Sequence, residues 1–241
     1  MKIIGIDSSG LVASVAIATE NGILAEYTVN NKKTHSQTLL PMLDEICRIT
    51  ELDLKEVDGV AIAAGPGSFT GLRIGSATAK GIGLALDIPV MEVSTVTALA
   101  WNLYGTDRVV CPIMDARRNQ VYTGIYEFIK ENTEFRISAV KDACAVMIDE
   151  IADILNEMGR EVIFLGDGVP VFEEKLKALM KVPYSFAPMH LSRQRAACVA
   201  ELGMRMFAKG EFVSADEHSP EYLRLSQAER ERKEAEEKNK A

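Results

Sequence analysis

Two aspartates stand where chemistry could be done. Asp7 closes the apolar run KIIGID (2–7), and Asp115 closes RVVCPIMD (108–115). A carboxylate at the end of a buried strand can hold a Mg²⁺-bound nucleotide and orient water. Two of them facing across a cleft would make a phosphoryl-transfer site. Asp7 with Ser8 and Ser9, Asp115, and the glycines of the Gly166-Asp167-Gly168 turn are therefore candidate nucleotide contacts. The plainer reading is turn chemistry, since Asp, Ser and Gly all stabilise turns after strands. Arg117 and Arg118 follow Asp115 and could neutralise it.

The other reactive side chains form no familiar set. The histidines are His35, His190 and His218, and no HExxH occurs. A metal-binding partner one helical turn after His35 would fall on Leu39, so a resident metal is not expected. His35 is read as packing or capping at a helix start. No GxSxG elbow or Cys/His pairing is suggested by spacing. Cys47, Cys111, Cys144 and Cys198 are widely separated, which fits reduced thiols better than a disulfide or metal framework.

GPGSFTG (65–71) follows an apolar run and opens a helical one, as phosphate-binding loops do. Its spacing does not fit. Thr70 stands where a P-loop needs its second glycine, and Gly71 comes one place late for GxGxxG. Gly67, Gly71, Gly75, Ala79 and Gly83 instead recur every fourth residue. Glycine inside a helix costs about 1 kcal/mol relative to alanine, so such a stripe implies close approach by another backbone. That backbone could be this chain's own or a partner's.

The elements that must position these residues come in two similar series. In the first half, 2–7, 12–18 and 23–29 read as strands, with an Asn21-Gly22 hairpin signal between the last two. Residues 35–50 have helical spacing, with Thr34 or Ser36 as a cap and Pro41 marking a start or kink. Residues 58–65 form another strand, and the glycine-rich helix follows. In the second half, 108–115, 119–128 and a segment near 134–140 are strands, 143–159 an amphipathic helix, 161–169 a strand with its glycine turn, and 171–180 a helix. The order strand-strand-strand-helix-strand-helix thus occurs twice. This predicts an α/β protein of two related lobes, 1–100 and 101–225, with a cleft between them. Residues 193–210 read as a further helix, and 219–224 as extended chain.

Composition limits the partners. The chain has 241 residues, with 27 Lys and Arg against 35 Asp and Glu, a net charge of −8. The segment 226–241 is a neutral, highly charged tail, so the whole deficit lies in the two lobes, four units each. An acidic chain is poorly suited to grip a phosphate backbone alone. No apolar run approaches the roughly 18 residues of a membrane helix and no secretion signal leads the sequence, so a cytoplasmic protein is expected.

Several motifs occur in a telling order: IGIDSS (4–9), HSQTLLP (35–41), AGPGSFTGLRIG (64–75), MDARRNQVY (114–122), LGDG (165–168) and PEYLR (220–224). With an Asp after each first strand, the duplicated lobe resembles the actin/Hsp70/sugar-kinase superfamily, also called the ASKHA fold. The motif set more sharply resembles the TsaB (YeaZ) family of tRNA threonylcarbamoyladenosine biosynthesis, up to about residue 225.

The resemblance implies a non-catalytic subunit that pairs with a TsaD-like transferase acting on adenosine 37 of ANN-decoding tRNAs. A TsaE-like ATPase would join through that complex, with ATP and Mg²⁺ used by the complex rather than held by this chain. The chain alone would form a homodimer, and tRNA would be contacted only indirectly. First-lobe helices would carry the contact. The resemblance thereby implicates Leu39, Leu40, Leu43 and Cys47 on one helix and Gly71, Leu72, Gly75, Ala79 and Gly83 on the next. The alternative is a small-molecule kinase or ATPase using Asp7 and Asp115.

Overall fold

The computed structural model describes residues 1–31 and 34–224. β1 (Lys2–Asp7), β2 (Val12–Thr19) and β3 (Gly22–Asn30) form an antiparallel meander. β4 (Gly59–Gly65) and β5 (Val90–Ser94) add parallel strands on the other side of β1, giving the order β3-β2-β1-β4-β5. β6 (Val109–Asp115), β7 (Gln120–Glu131), β8 (Glu134–Met147), β9 (Val162–Leu165) and β10 (Tyr184–Phe186) repeat the plan as β10-β9-β6-β7-β8. Directions repeat too: the three-strand meander is antiparallel, and the last two strands are parallel to the first.

The central strands of each sheet are buried on both faces, which is why β1, β4 and β6 read as unbroken apolar runs. Alternate residues of β1 point opposite ways. Ile4 and Ile6 meet α1 (Leu39–Thr50) and α2 (Phe69–Leu86) through Leu39, Leu43 and Ala79. Ile3 faces the other way with Ala61, Met91 and Val199. Val199 belongs to α6 (Ala196–Ala208), so a helix from the second half of the sequence covers the first sheet. The second sheet packs α4 (Ile148–Met158) and α5 (Val169–Leu179) against Cys111, Ile113 and Phe164, and α3 (Thr95–Trp101) against Val110, Met114 and Ile163.

Several sequence expectations need correction. Residues 143–147 are not helical. β8 runs on to Met147, pairing Val146 with Val121 and Cys144 with Thr123, and α4 begins only at Ile148. Cross-strand pairing wins there over a helical apolar pattern. β5, α3 and β10 are not anticipated from sequence, being short segments without a distinguishing period. α1 is capped by neither Thr34 nor Ser36: it starts at Leu39 after a separate 3₁₀ turn, with Pro41 in its first turn, where proline is tolerated. No helix among the described residues is long and apolar enough to cross a membrane. The tail 226–241 lies outside the described residues.

After α6 the chain turns back along the first lobe. Val213 exchanges two backbone hydrogen bonds with Val90. Residues 213–224 then run over α2 as an extended strap, and Arg224 donates to the Ala116 carbonyl of the second lobe.

Candidate functional site

A cleft of about 460 Å³ lies between the lobes. Ser9, Ser68 and Phe69 line it from the first lobe, Asp115 and Asp167 from the second, and Tyr222 of the strap forms a wall. The Phe69 and Tyr222 rings lie 4.6 Å apart, and the Arg73 guanidinium sits 4.1 Å from the Phe69 ring.

The structure does not present Asp7 to that cleft as an open carboxylate. Asp7 is 1% exposed and accepts from Ser9 N–H at 2.9 Å and Ser9 Oγ at 2.6 Å. Burial pushes its pKa up to about 6, against the pull of the two Ser9 bonds and of His35. Ser8 Oγ donates to the Gly71 carbonyl at 2.9 Å. His35 Nε2 lies 2.9 Å from the Gly10 carbonyl. Asp115 accepts from Arg117 N–H at 2.8 Å and pairs with the Arg117 side chain at 3.4 Å. The neutralising arginine anticipated from sequence is therefore present.

The glycine turn is engaged as well. Gly166 N–H donates to the Ser192 carbonyl at 2.9 Å, and Gly168 N–H to the Ile113 carbonyl at 3.0 Å. Between them, Asp167 is raised in pKa by burial and pulled back by Arg193. Asp167 Oδ1, Arg193 Nη1, His35 Nδ1 and both amide atoms of Gln194 are buried without a hydrogen-bond partner in the protein. Sequence reasoning missed Gln194 and Arg193, because residue type alone does not bring them to the seam. Among the described residues, no three His, Cys, Asp or Glu side chains converge to hold a metal ion.

The small-residue stripe faces inward. A Cβ on Gly71 would lie 2.1 Å from the Ser8 carbonyl oxygen, and one on Gly75 2.3 Å from Ser8 Oγ. Gly83 meets Ala215 of the strap, while Leu72 and Ala79 are core. Leu39 and Leu43 are core too, and Cys47 is half-buried. The closely approaching backbone is this chain's own, which corrects the placement of these residues at an exposed contact. Only Leu40 of that group is substantially exposed, at 55%. The outward stripe of α2 consists of Thr70, Arg73, Ala77, Gly81 and Leu84.

A second constellation escaped the sequence entirely. Ser76 Oγ lies 2.8 Å from His218 Nε2, and His218 Nδ1 lies 2.6 Å from Glu92 Oε1. This is the connectivity of a Ser-His-Glu hydrolase relay, assembled from residues 142 and 126 positions apart. No local motif could reveal it. The relay does not serve hydrolysis here: Ser76 is 5% exposed in the middle of α2, whose amides already bond along the helix and offer no oxyanion hole.

It ties down the strap, assisted by Lys80 Nζ at 3.0 Å from the Asp216 and His218 carbonyls. His218→Ala leaves Ser76 and Glu92 without their shared partner, at a cost of about 1–3 kcal/mol. The expected result is new protease cleavage within 211–224, read by mass spectrometry. An unchanged cleavage pattern would refute the latch.

Two α/β lobes built on one sheet order, each with an aspartate ending its first strand, define a duplicated fold of the kind the sequence led us to expect. Comparisons with known proteins narrow this. The family model TsaD, tRNA N6-adenosine threonylcarbamoyltransferase, matches residues 22–232. The chain is 33% identical over 231 residues to the tRNA threonylcarbamoyladenosine biosynthesis protein TsaB of Bacillus subtilis, covering 95% of this chain and 96% of that one. It is 29% identical to the Escherichia coli protein of the same name, covering 93% and 95%. A solved Pseudomonas aeruginosa structure, described by similarity to the peptidase YEAZ, superposes with a TM-score of 0.76 at 27% identity, over 92% of this chain and 99% of that one. The chain belongs to the TsaD family, within its TsaB (YeaZ) group.

Proposed function

We propose that this chain is a non-catalytic subunit in the formation of N6-threonylcarbamoyladenosine at position 37 of ANN-decoding tRNAs. It docks on a TsaD-like transferase and activates it. The observation that carries this reading is that five donors at the two strand-end turns are engaged within the protein. Ser9 N–H and Oγ are held by Asp7, Ser8 Oγ by Gly71, and the Gly166 and Gly168 amides by Ser192 and Ile113. A phosphate loop needs such donors free, so the residues present do not fit a nucleotide's phosphates. ATP and Mg²⁺ chemistry is assigned to other subunits, a TsaE-like ATPase among them. With a net charge of −8, tRNA contact is assigned mainly to the transferase.

The docking surface is assigned to the outward stripes of α1 and α2, centred on Leu40, Ala77, Gly81 and Leu84. Leu40 and Leu84 are each 55% exposed, and a Cβ on Gly81 would meet nothing within 4 Å. The same surface would form the homodimer of the isolated chain, in the cytoplasm. Leu84→Glu should leave thermal stability within about 0.5 kcal/mol of the parent while abolishing co-elution with a TsaD-like subunit and tRNA modification in a reconstituted reaction. Unchanged co-elution of that folded variant rejects the surface, and modification at full rate without this chain rejects the function.

One observation favours a second reading, a small-molecule kinase or ATPase cleft: the unpartnered Asp167, Arg193 and Gln194 atoms at the seam. It requires Mg²⁺-dependent ATP turnover by the purified chain that is lost in Asp7→Ala. Absence of turnover removes it.

A further inference from the structure

A cavity larger than the inter-lobe cleft lies elsewhere in the molecule. It holds about 820 Å³ and lies between the start of α3, α6 and the tip of the β7–β8 hairpin. It draws walls from both lobes, and its size is that of a small-molecule site rather than a protein interface. Trp101, Phe135 and Met206 make its walls apolar.

Two polar features break that surface. Ser94 Oγ on its lining is buried beside the Tyr126 hydroxyl, which accepts from Thr97 Oγ1 at 3.2 Å. The charges are also unbalanced. Arg136 pairs with Glu131 at 2.7 Å, and Arg205 pairs with Glu201 at 3.2 Å and Glu134 at 3.4 Å while its guanidinium lies 5.0 Å from the Trp101 ring. Lys209 lines the cavity and forms no ion pair among the described residues.

We infer that this cavity binds an amphipathic small-molecule anion, with a flat apolar body against Trp101 and Phe135 and an acidic head toward Lys209. Apolar walls supply the affinity, an uncompensated cation selects the charge, and Ser94 supplies an orienting hydroxyl. Because both lobes line it, occupancy would hold them at one relative angle.

The chain has a single tryptophan, Trp101, and it lies in this wall. The probe is 1-anilinonaphthalene-8-sulfonate, with uncharged N-phenyl-1-naphthylamine as the control. Saturable, one-to-one energy transfer from Trp101 to the sulfonate is expected. Phe135→Ala, at the hairpin surface, should weaken both probes by about tenfold. Lys209→Glu should weaken the sulfonate by about fivefold or more and leave the neutral probe unchanged.

Circular dichroism verifies folding of each variant. Binding without transfer from Trp101, or affinity unchanged by Phe135→Ala, overturns the site. Equal effects of Lys209→Glu on both probes overturn the assignment of an anion. Either failure leaves the proposed role in tRNA modification untouched, since neither variant touches α1 or α2.

Discussion

Gly71→Ala will destabilise the protein and Gly81→Ala will stabilise it, although both change the same residue type on the same helix. At Gly81 a Cβ meets nothing within 4 Å, so only helix propensity changes, worth about 0.5–1 kcal/mol in favour of alanine. At Gly71 the new Cβ would sit 2.1 Å from the Ser8 carbonyl oxygen. That oxygen is backbone, in the turn that follows β1, and cannot rotate away.

Either α2 or the Ser8-Ser9 turn must then shift, disturbing the Ser8–Gly71 hydrogen bond and the Ser68 N–H bond to the Ser9 carbonyl, 2.7 Å. Overpacking of this kind costs about 3 kcal/mol, well above the propensity gain. For a chain of this length that is a fall in melting temperature of roughly 6–12 °C, against a rise of about 1–4 °C for Gly81→Ala. Shifts of the same sign in both variants would show that the stripe does not pack against the β1 turn.

Asp7→Asn will remove a pH dependence. An acid whose folded pKa is about 6, against an ordinary 3.8, holds its proton in the folded state while the unfolded chain has lost it. Between those values the native state binds more protons, so this group's contribution to stability falls as pH rises. The full penalty is reached above pH 6 and amounts to about 3 kcal/mol, at 1.36 kcal/mol per pKa unit. Asparagine keeps an acceptor for Ser9 N–H and Oγ and carries no charge. Urea denaturation of Asp7→Asn should therefore match the parent near pH 4 and exceed it by up to about 3 kcal/mol at pH 7.5. A difference that does not grow with pH would show that the carboxylate is not desolvated.

Much of the scaffold was legible because the central strands of its sheets are buried on both faces. IIGI, VAIAA and VVCPIM need no context to be read as strands. Asp7 and Asp115 stood out because they end those runs. Their surroundings were not legible, since a carboxylate's availability depends on which neighbour takes its lone pairs, and Ser9 and Arg117 do so here. The glycine period announced a close approach without saying what approaches. Only the fold places the Ser8 carbonyl against Gly71. Residues 143–147 were misread because a helical period and one edge of a long hairpin coincide over five residues. Ser76, Glu92 and His218 could not be found at all, since nothing in their local sequence links them.

The placement of α6 has a consequence for synthesis on the ribosome. Ile3, Ala61 and Met91 are among the first hundred residues to emerge, yet the helix that covers them ends at Ala208. For most of translation the first sheet therefore has one dressed face, under α1 and α2, and one bare one. The second lobe can close around its own helices in that interval, since α3, α4 and α5 all precede α6. A nascent chain stalled before residue 196 would expose an apolar sheet face to chaperones while already displaying the α1–α2 surface. A partner of the docking surface proposed above could then be engaged before this chain has finished folding.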